Sequence, residues 1–190
     1  MQKIAQTKVP ISNTIANRWS PRAFAGKPVE EEKITAVLEA ARWTSSAFNE
    51  QPWHFVVGKK GDNDWKKILE TLVAWNRQWA KEAPVLILNI AKQTFTHNGE
   101  PNEVALYDLG QAVSAMALEA VNQGLVSHQM TGFDGKKAGE LFQLPDGFKA
   151  VSATAVGYYG NPDQLPDELA TLEHQPRKRK SLDEIIWKAG

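Results

Sequence analysis

The chain alternates short apolar runs with polar punctuation, and the period of those runs changes along it. Between 30 and 42, Ile34, Val37, Leu38 and Ala41 fall three or four apart, the spacing of one helix face. Acidic residues fill the first turn, where the helix dipole favours them. A long helix is predicted over 103–123. It carries Gly110, Ala112, Ser114, Ala115, Ala117 and Ala120, small residues that let neighbours pack closely, and Gly124 ends it. Shorter helices are predicted at 11–17, with Ser12 as N-cap, and at 136–142; residues 62–83 read as helical in two pieces. Short apolar or alternating runs predict strands at 53–58, 85–91, 125–130 and 150–158.

Between these lie loops at 18–28, 44–52 and 93–102, the last polar and mobile, and at 160–173. Residues 175–180 are basic, and 182–188 read as a closing helix or extended tail. About four strands and five or more helices, mixed rather than alternating, predict an α+β fold. No repeat or linker divides residues 1–190, which read as a single domain.

Composition narrows the function. Lys plus Arg and Asp plus Glu number 22 each, so the net charge is zero, against a general nucleic-acid or membrane-surface binder. Cysteine is absent, which excludes disulfides, thiolate metal sites and a Cys nucleophile, and fits a reducing cytoplasm. The best apolar run, Val85-Leu86-Ile87-Leu88-Asn89-Ile90, is too short to span a bilayer. Gln6, Thr7 and Lys8 interrupt any signal-peptide core. Seven tryptophans hint at a large pocket or a subunit interface.

Common catalytic motifs are missing: no G-x-G-x-x-G after a strand, no P-loop, no G-x-S-x-G elbow. His54, His97, His128 and His174 lack metal-ligand spacing. Four polar islands remain, at 18–22, 46–51, 130–132 and 177–179. Each alone has an ordinary reading as surface charge, turn or solvated tail. Together they supply arginines for a phosphate and amide and hydroxyl groups for the edge of a heterocycle. A bound phosphorylated heterocycle is therefore expected.

The pattern R-x-S-x-R-x-F (Arg18, Ser20, Arg22, Phe24), then a helix, then S-A-x-N-x-Q-P-W from Ser46 to Trp53, resembles the nitroreductase family of flavin mononucleotide enzymes. Asn76 before Ala83-Pro84, Gly124-Leu125, Gly132-Phe133-Asp134, Leu144-Pro145-Asp146-Gly147-Phe148 and the tail from Arg179 follow in the family's order, so the resemblance covers about 14–187. It implies a nitroreductase-like fold, a mostly antiparallel sheet flanked by helices, in an intertwined homodimer with shared active sites.

Position by position, the resemblance implies that Arg18, Trp19, Ser20 and Arg22 form the first FMN-binding segment. Arg18 is expected near the phosphate and Arg22 near the polar ring edge, where a cation stabilises reduced, anionic flavin. Ser46 and Asn49, with Gln51 beside them, are expected to lie against the partner's flavin. Asn76 is expected at the pyrimidine edge, and Met130, Thr131 and Gly132 near the reactive ring nitrogen. Arg177 and Arg179 resemble the C-terminal phosphate cations. No catalytic side chain and no metal is expected, because the flavin carries the electrons.

The implied activity is ping-pong transfer from NADH or NADPH to a small-molecule acceptor: a nitroaromatic, a quinone or a related electrophile. The alternatives are a reductive dehalogenase-type or flavin-degrading relative, and an FMN carrier or sensor without efficient turnover. A basic-tail nucleic-acid binder is a further class, which the zero net charge opposes. The chain departs from the family pattern at Ser45, where Pro is frequent, and at His128-Gln129, where Trp or Pro is common. His128 is expected to bear on the acceptor.

Overall fold

In a computed structural model, residues 3–188 are described. Eight helices among them surround one sheet: α1 (Asn13–Asn17), α2 (Glu31–Arg42), α3 (Asn63–Thr71), α4 (Ala74–Ala80), α5 (Ala105–Asn122), α6 (Gly135–Leu141), α7 (Asp167–His174) and α8 (Leu182–Ile185). The strands are β1 (Trp53–Lys59), β2 (Val85–Lys92), β3 (Val126–Met130) and β4 (Phe148–Gly157). They lie in the order β1-β2-β4-β3, every neighbouring pair antiparallel. The α+β expectation holds.

Helices cover both faces, so β2, at the centre, is buried along its length from Val85 to Ala91. This is why that segment reads as a continuous apolar run rather than an alternating one. On one face Trp65, Ile68, Leu72 and Trp79 from α3, α4 and the link between them pack on Leu86, Leu88, Ala153 and Ala155. On the other, Ile34 and Val37 of α2 and Leu109, Ala112 and Met116 of α5 pack on Val85, Ile87 and Val156. Burying side chains of this size contributes roughly 1.5–3 kcal/mol each. Gly58 permits the closest approach: a Cβ there would lie 2.3 Å from the Trp65 backbone nitrogen, so α3 could not seat on β1.

Two expectations change. Residues 160–173 are expected from the sequence to form a loop, but from Asp167 onward they belong to α7. Pro166 reads as a breaker, yet it stands at the helix start, where its missing N–H costs nothing. Leu169 and Glu173, four apart, turn one face of α7 into the core. The expected mobile loop at 93–102 is folded back on itself: the Phe95 N–H donates to the Glu100 carbonyl at 2.8 Å. Its tip is tied down, since both carboxylate oxygens of Glu50 accept from the Thr96 N–H, at 2.9 and 3.0 Å.

Candidate functional site

The segment 18–22 leaves α1 in extended conformation and runs beside the C-terminal end of the chain. The Arg18 guanidinium donates to Ser20 Oγ at 3.3 Å. Both residues line a cavity of about 450 Å³, walled by Leu109, Gly110, Val113 and Ser114 of α5 and floored by Gln129, Val151 and Ser152 of the sheet. The small residues of α5 keep this cavity open: a Cβ at Gly110 would meet nothing within 4 Å.

Cations gather beside it. Burial, and then the charges of Arg177 and Arg179, push the Arg18 guanidinium below its usual pKa. Burial and Arg179 do the same to Arg177. Among the described residues no carboxylate forms an ion pair with any of the three. Arg179 is exposed, and the three guanidiniums are near enough to perturb one another; with no carboxylate paired to them, they could together receive an anion. Arg177 has a second task. Its Nη1 donates to the carbonyls of Lys3 and Ala16, at 2.8 and 2.7 Å, so it also fastens the N-terminal segment to the C-terminal one.

Trp19 turns away from this cavity. It packs edge-on against Tyr159, with ring centroids 5.4 Å apart, beneath the Lys3 ammonium, and lines a separate cavity of about 420 Å³. Arg22 is engaged within the chain. Its backbone N–H donates to Glu173 at 2.9 Å, and its guanidinium lies 3.9 Å from the same carboxylate, whose side chain is only 1% exposed. The Ala23 N–H adds a third bond. Glu173, the inward residue of α7, thus fixes the loop backbone; lying in an assumed loop, it was not among the candidates.

Asn76 and Gly132 are brought together from α4 and the end of β3. Asn76 Nδ2 donates to the Gly132 carbonyl at 3.0 Å, and the Val73 N–H reaches the same oxygen at 3.1 Å. Met130 points its side chain into the core on the other face of the sheet, so only its backbone is available. Thr131 is exposed beside it. His128 is held within the fold: its Nδ1 bonds to the Pro21 carbonyl at 2.9 Å and its ring lies 4.6 Å from that of Trp79. Burial pulls its pKa down to about 4, so it is neutral at pH 7, with Nδ1 carrying the proton.

The loop 46–51 does not line the cavity of Arg18. Phe48, Asn49 and Gln51 all have positive φ, near +52 to +54°, an uncommon conformation for non-glycine residues. Internal bonds hold it: Ser46 Oγ accepts from the Gln51 N–H at 2.9 Å, and Gln51 Nε2 donates to the Asn49 carbonyl at 3.0 Å. Asp108 of α5, 2% exposed, accepts from the Ala47 N–H at 3.0 Å. The loop projects Phe48 into solvent, 87% exposed, beside Phe95 and His97. Leu106 and Tyr107 of α5 and Leu182, Ile185, Ile186 and Trp187 of the tail are also exposed.

Among the described residues no group of three or more His, Asp or Glu could hold a metal, and no helix is long and apolar enough to cross a membrane.

Comparison with known proteins gives this arrangement a context. A solved structure, that of an oxidoreductase containing FMN, superposes with a TM-score of 0.91 at 36% identity, covering 97% of this chain and 94% of that one. NADH dehydrogenase of Thermus thermophilus is 28% identical, covering 90% of this chain and 92% of its own length. The major NAD(P)H-flavin oxidoreductase of Aliivibrio fischeri is 24% identical, covering 93% and 97%. The nitroreductase family model matches residues 15–73 and 62–158, which hold the R-x-S-x-R segment, the strained loop, the Asn76–Gly132 contact and all four strands. The chain belongs to the nitroreductase family.

Proposed function

We propose that the protein is an FMN-dependent NAD(P)H oxidoreductase that reduces nitroaromatics, quinones or related electrophiles. The observation that carries this reading is that Arg18, which lines a cavity with hydroxyl and amide groups, feels the charges of Arg177 and Arg179, and that no carboxylate among the described residues pairs with the three. Such a site fits a terminal phosphate followed by a polar chain. The relatives named for NADH, NAD(P)H and flavin support the same reading.

When bound, FMN supplies the two-electron carrier that links nicotinamide to acceptor. The chain's own residues then have separable tasks. Arg18 and Arg179 hold the phosphate, with the remaining donors of Arg177. Asn76 and the backbone at 131–132 orient the ring edge. Arg22, its position fixed by Glu173, is assigned to donate from its guanidinium to the polar ring edge, its positive charge partly offset by that carboxylate. His128, neutral and packed on Trp79, holds Pro21 and so the shape of the loop.

The protein is further proposed to act as a homodimer, in which Ser46 and Asn49 of one protomer complete the site of the other. The strained loop and the exposed apolar residues of α5 and the tail support this. Purified protein should be yellow and release FMN, not FAD, on denaturation, and should oxidise a nicotinamide when an acceptor is added. Colourless protein that takes up no added FMN would refute the reading.

A further inference from the structure

Strand β4 breaks its own alternation. Residues two apart on a strand share a face, yet Ala150 and Ala153, three apart, both enter the core beneath α3, α4 and α6. The cause is a β-bulge. Pairing with β2 steps from Asn89 opposite Ser152 to Ile90 opposite Ala150, and Val151 is left over. Val151 and Ser152 are consecutive, but both line the Arg18 cavity. Ser152 shares its face with Thr154 and Val156 by ordinary alternation, and the bulge re-aims Val151 to stand beside it; bulges are frequent beside active sites.

A second observation gives the Ser152 hydroxyl a direction. Asn89, fully buried on β2, donates from Nδ2 to Ser152 Oγ at 3.0 Å and to Thr154 Oγ1 at 2.8 Å. Both amide protons are thereby used. The Ser152 oxygen accepts one of them, which leaves its own proton to donate elsewhere. Asn89 Oδ1 is buried without a hydrogen-bond partner among the described residues. Ser20, Ser114 and Gln129 line the same cavity, and each can both donate and accept. That combination suits a polyol, whose hydroxyls need both roles.

We infer that Ser152, placed on the cavity face by the alternation of β4 and oriented by Asn89, hydrogen-bonds a hydroxyl of the polyol chain joining the flavin ring to its phosphate. The inference rests on the FMN reading above.

The test compares two ligands on apoprotein by fluorescence quenching. One is FMN. The other carries the same ring and phosphate joined by a five-carbon chain without hydroxyls. Ser152→Ala should weaken FMN binding about 3- to 10-fold and leave the deoxygenated analogue within about twofold of the parent. Ser152→Thr, which keeps the hydroxyl, should restore FMN affinity. Asn89→Leu keeps Ser152 but removes its orienting amide, and should give a smaller loss with the same dependence on linker hydroxyls. Equal losses for both ligands, or no loss for FMN, would overturn the inference while leaving FMN binding intact. If the parent itself binds no FMN, the functional reading falls and this inference falls with it.

Discussion

Asn76 and Gly132 fit each other with no room to spare. A Cβ on Gly132 would lie 2.7 Å from Asn76 Nδ2, the atom that donates to the Gly132 carbonyl. Gly132→Ala should therefore push Asn76 aside and weaken FMN binding by about tenfold, the scale of one displaced hydrogen bond plus local strain. Asn76→Ala makes the space that Gly132→Ala needs. The double variant should bind FMN better than the two single losses added together would allow, and titration of all four proteins measures that coupling. Strict additivity would show that the two residues do not act as a unit.

Arg18 and Arg177 should separate on replacement. Arg18→Ala removes a charge-assisted contact, so FMN affinity should drop by about 10- to 100-fold while riboflavin, which lacks the phosphate, binds almost as before. Arg177→Ala should also lower Tm, because its guanidinium ties Lys3 and Ala16 to the C-terminal segment. A loss of about 1–2 kcal/mol corresponds to roughly 2–8 °C in a domain of this size. Calorimetry of the flavin-free proteins distinguishes the two variants.

His128 should make the fold acid-sensitive. Its folded pKa of about 4 lies below the unfolded value near 6.5, so the unfolded chain binds the proton more readily. The stabilising contribution is present above pH 6.5 and is lost as pH falls through 4, by up to about 3 kcal/mol. Urea unfolding at pH 7 and pH 5 should show the loss in the parent and a smaller one in His128→Asn. An equal pH response in both proteins would place the sensitivity elsewhere.

Shared sites predict complementation. Arg22→Glu and Asn49→Asp chains should each be inactive as homodimers. Refolded together, they should form heterodimers with one doubly damaged site and one intact site, so activity returns. Heterodimers that form and stay inactive would refute the sharing of residues between protomers.

Much of this was legible from the residues because it rests on local pattern. The period of Ile34, Val37, Leu38 and Ala41 located α2, and the apolar run at 85–91 located the central strand. The R-x-S-x-R segment and S-A-x-N pointed to the right family. What stayed hidden depends on tertiary partners. Arg22 reads as a free cation until α7 brings Glu173 beneath it. Trp19 stands between two cavity residues in sequence, but an extended backbone sends neighbours to opposite sides. Ser152 looks like one more position in an apolar strand; only its pairing with Asn89, a register between two distant segments, shows what its hydroxyl meets. Asn89 was the available sign, a lone amide inside an otherwise apolar run.

The three left-handed residues of the 46–51 loop bear on how two protomers meet. Phe48, Asn49 and Gln51 adopt positive φ without glycine, and Asp108 and Glu50 brace the segment from the same chain. Its shape is thus set when a single protomer folds, before any encounter. In the proposed homodimer this loop would therefore meet its partner already shaped, with no ordering of its own backbone on contact. Substituting Asn49, the non-glycine residue type that best tolerates this conformation, by a β-branched one should transfer that shaping step to the moment of collision and slow assembly of the proposed homodimer more than it speeds separation.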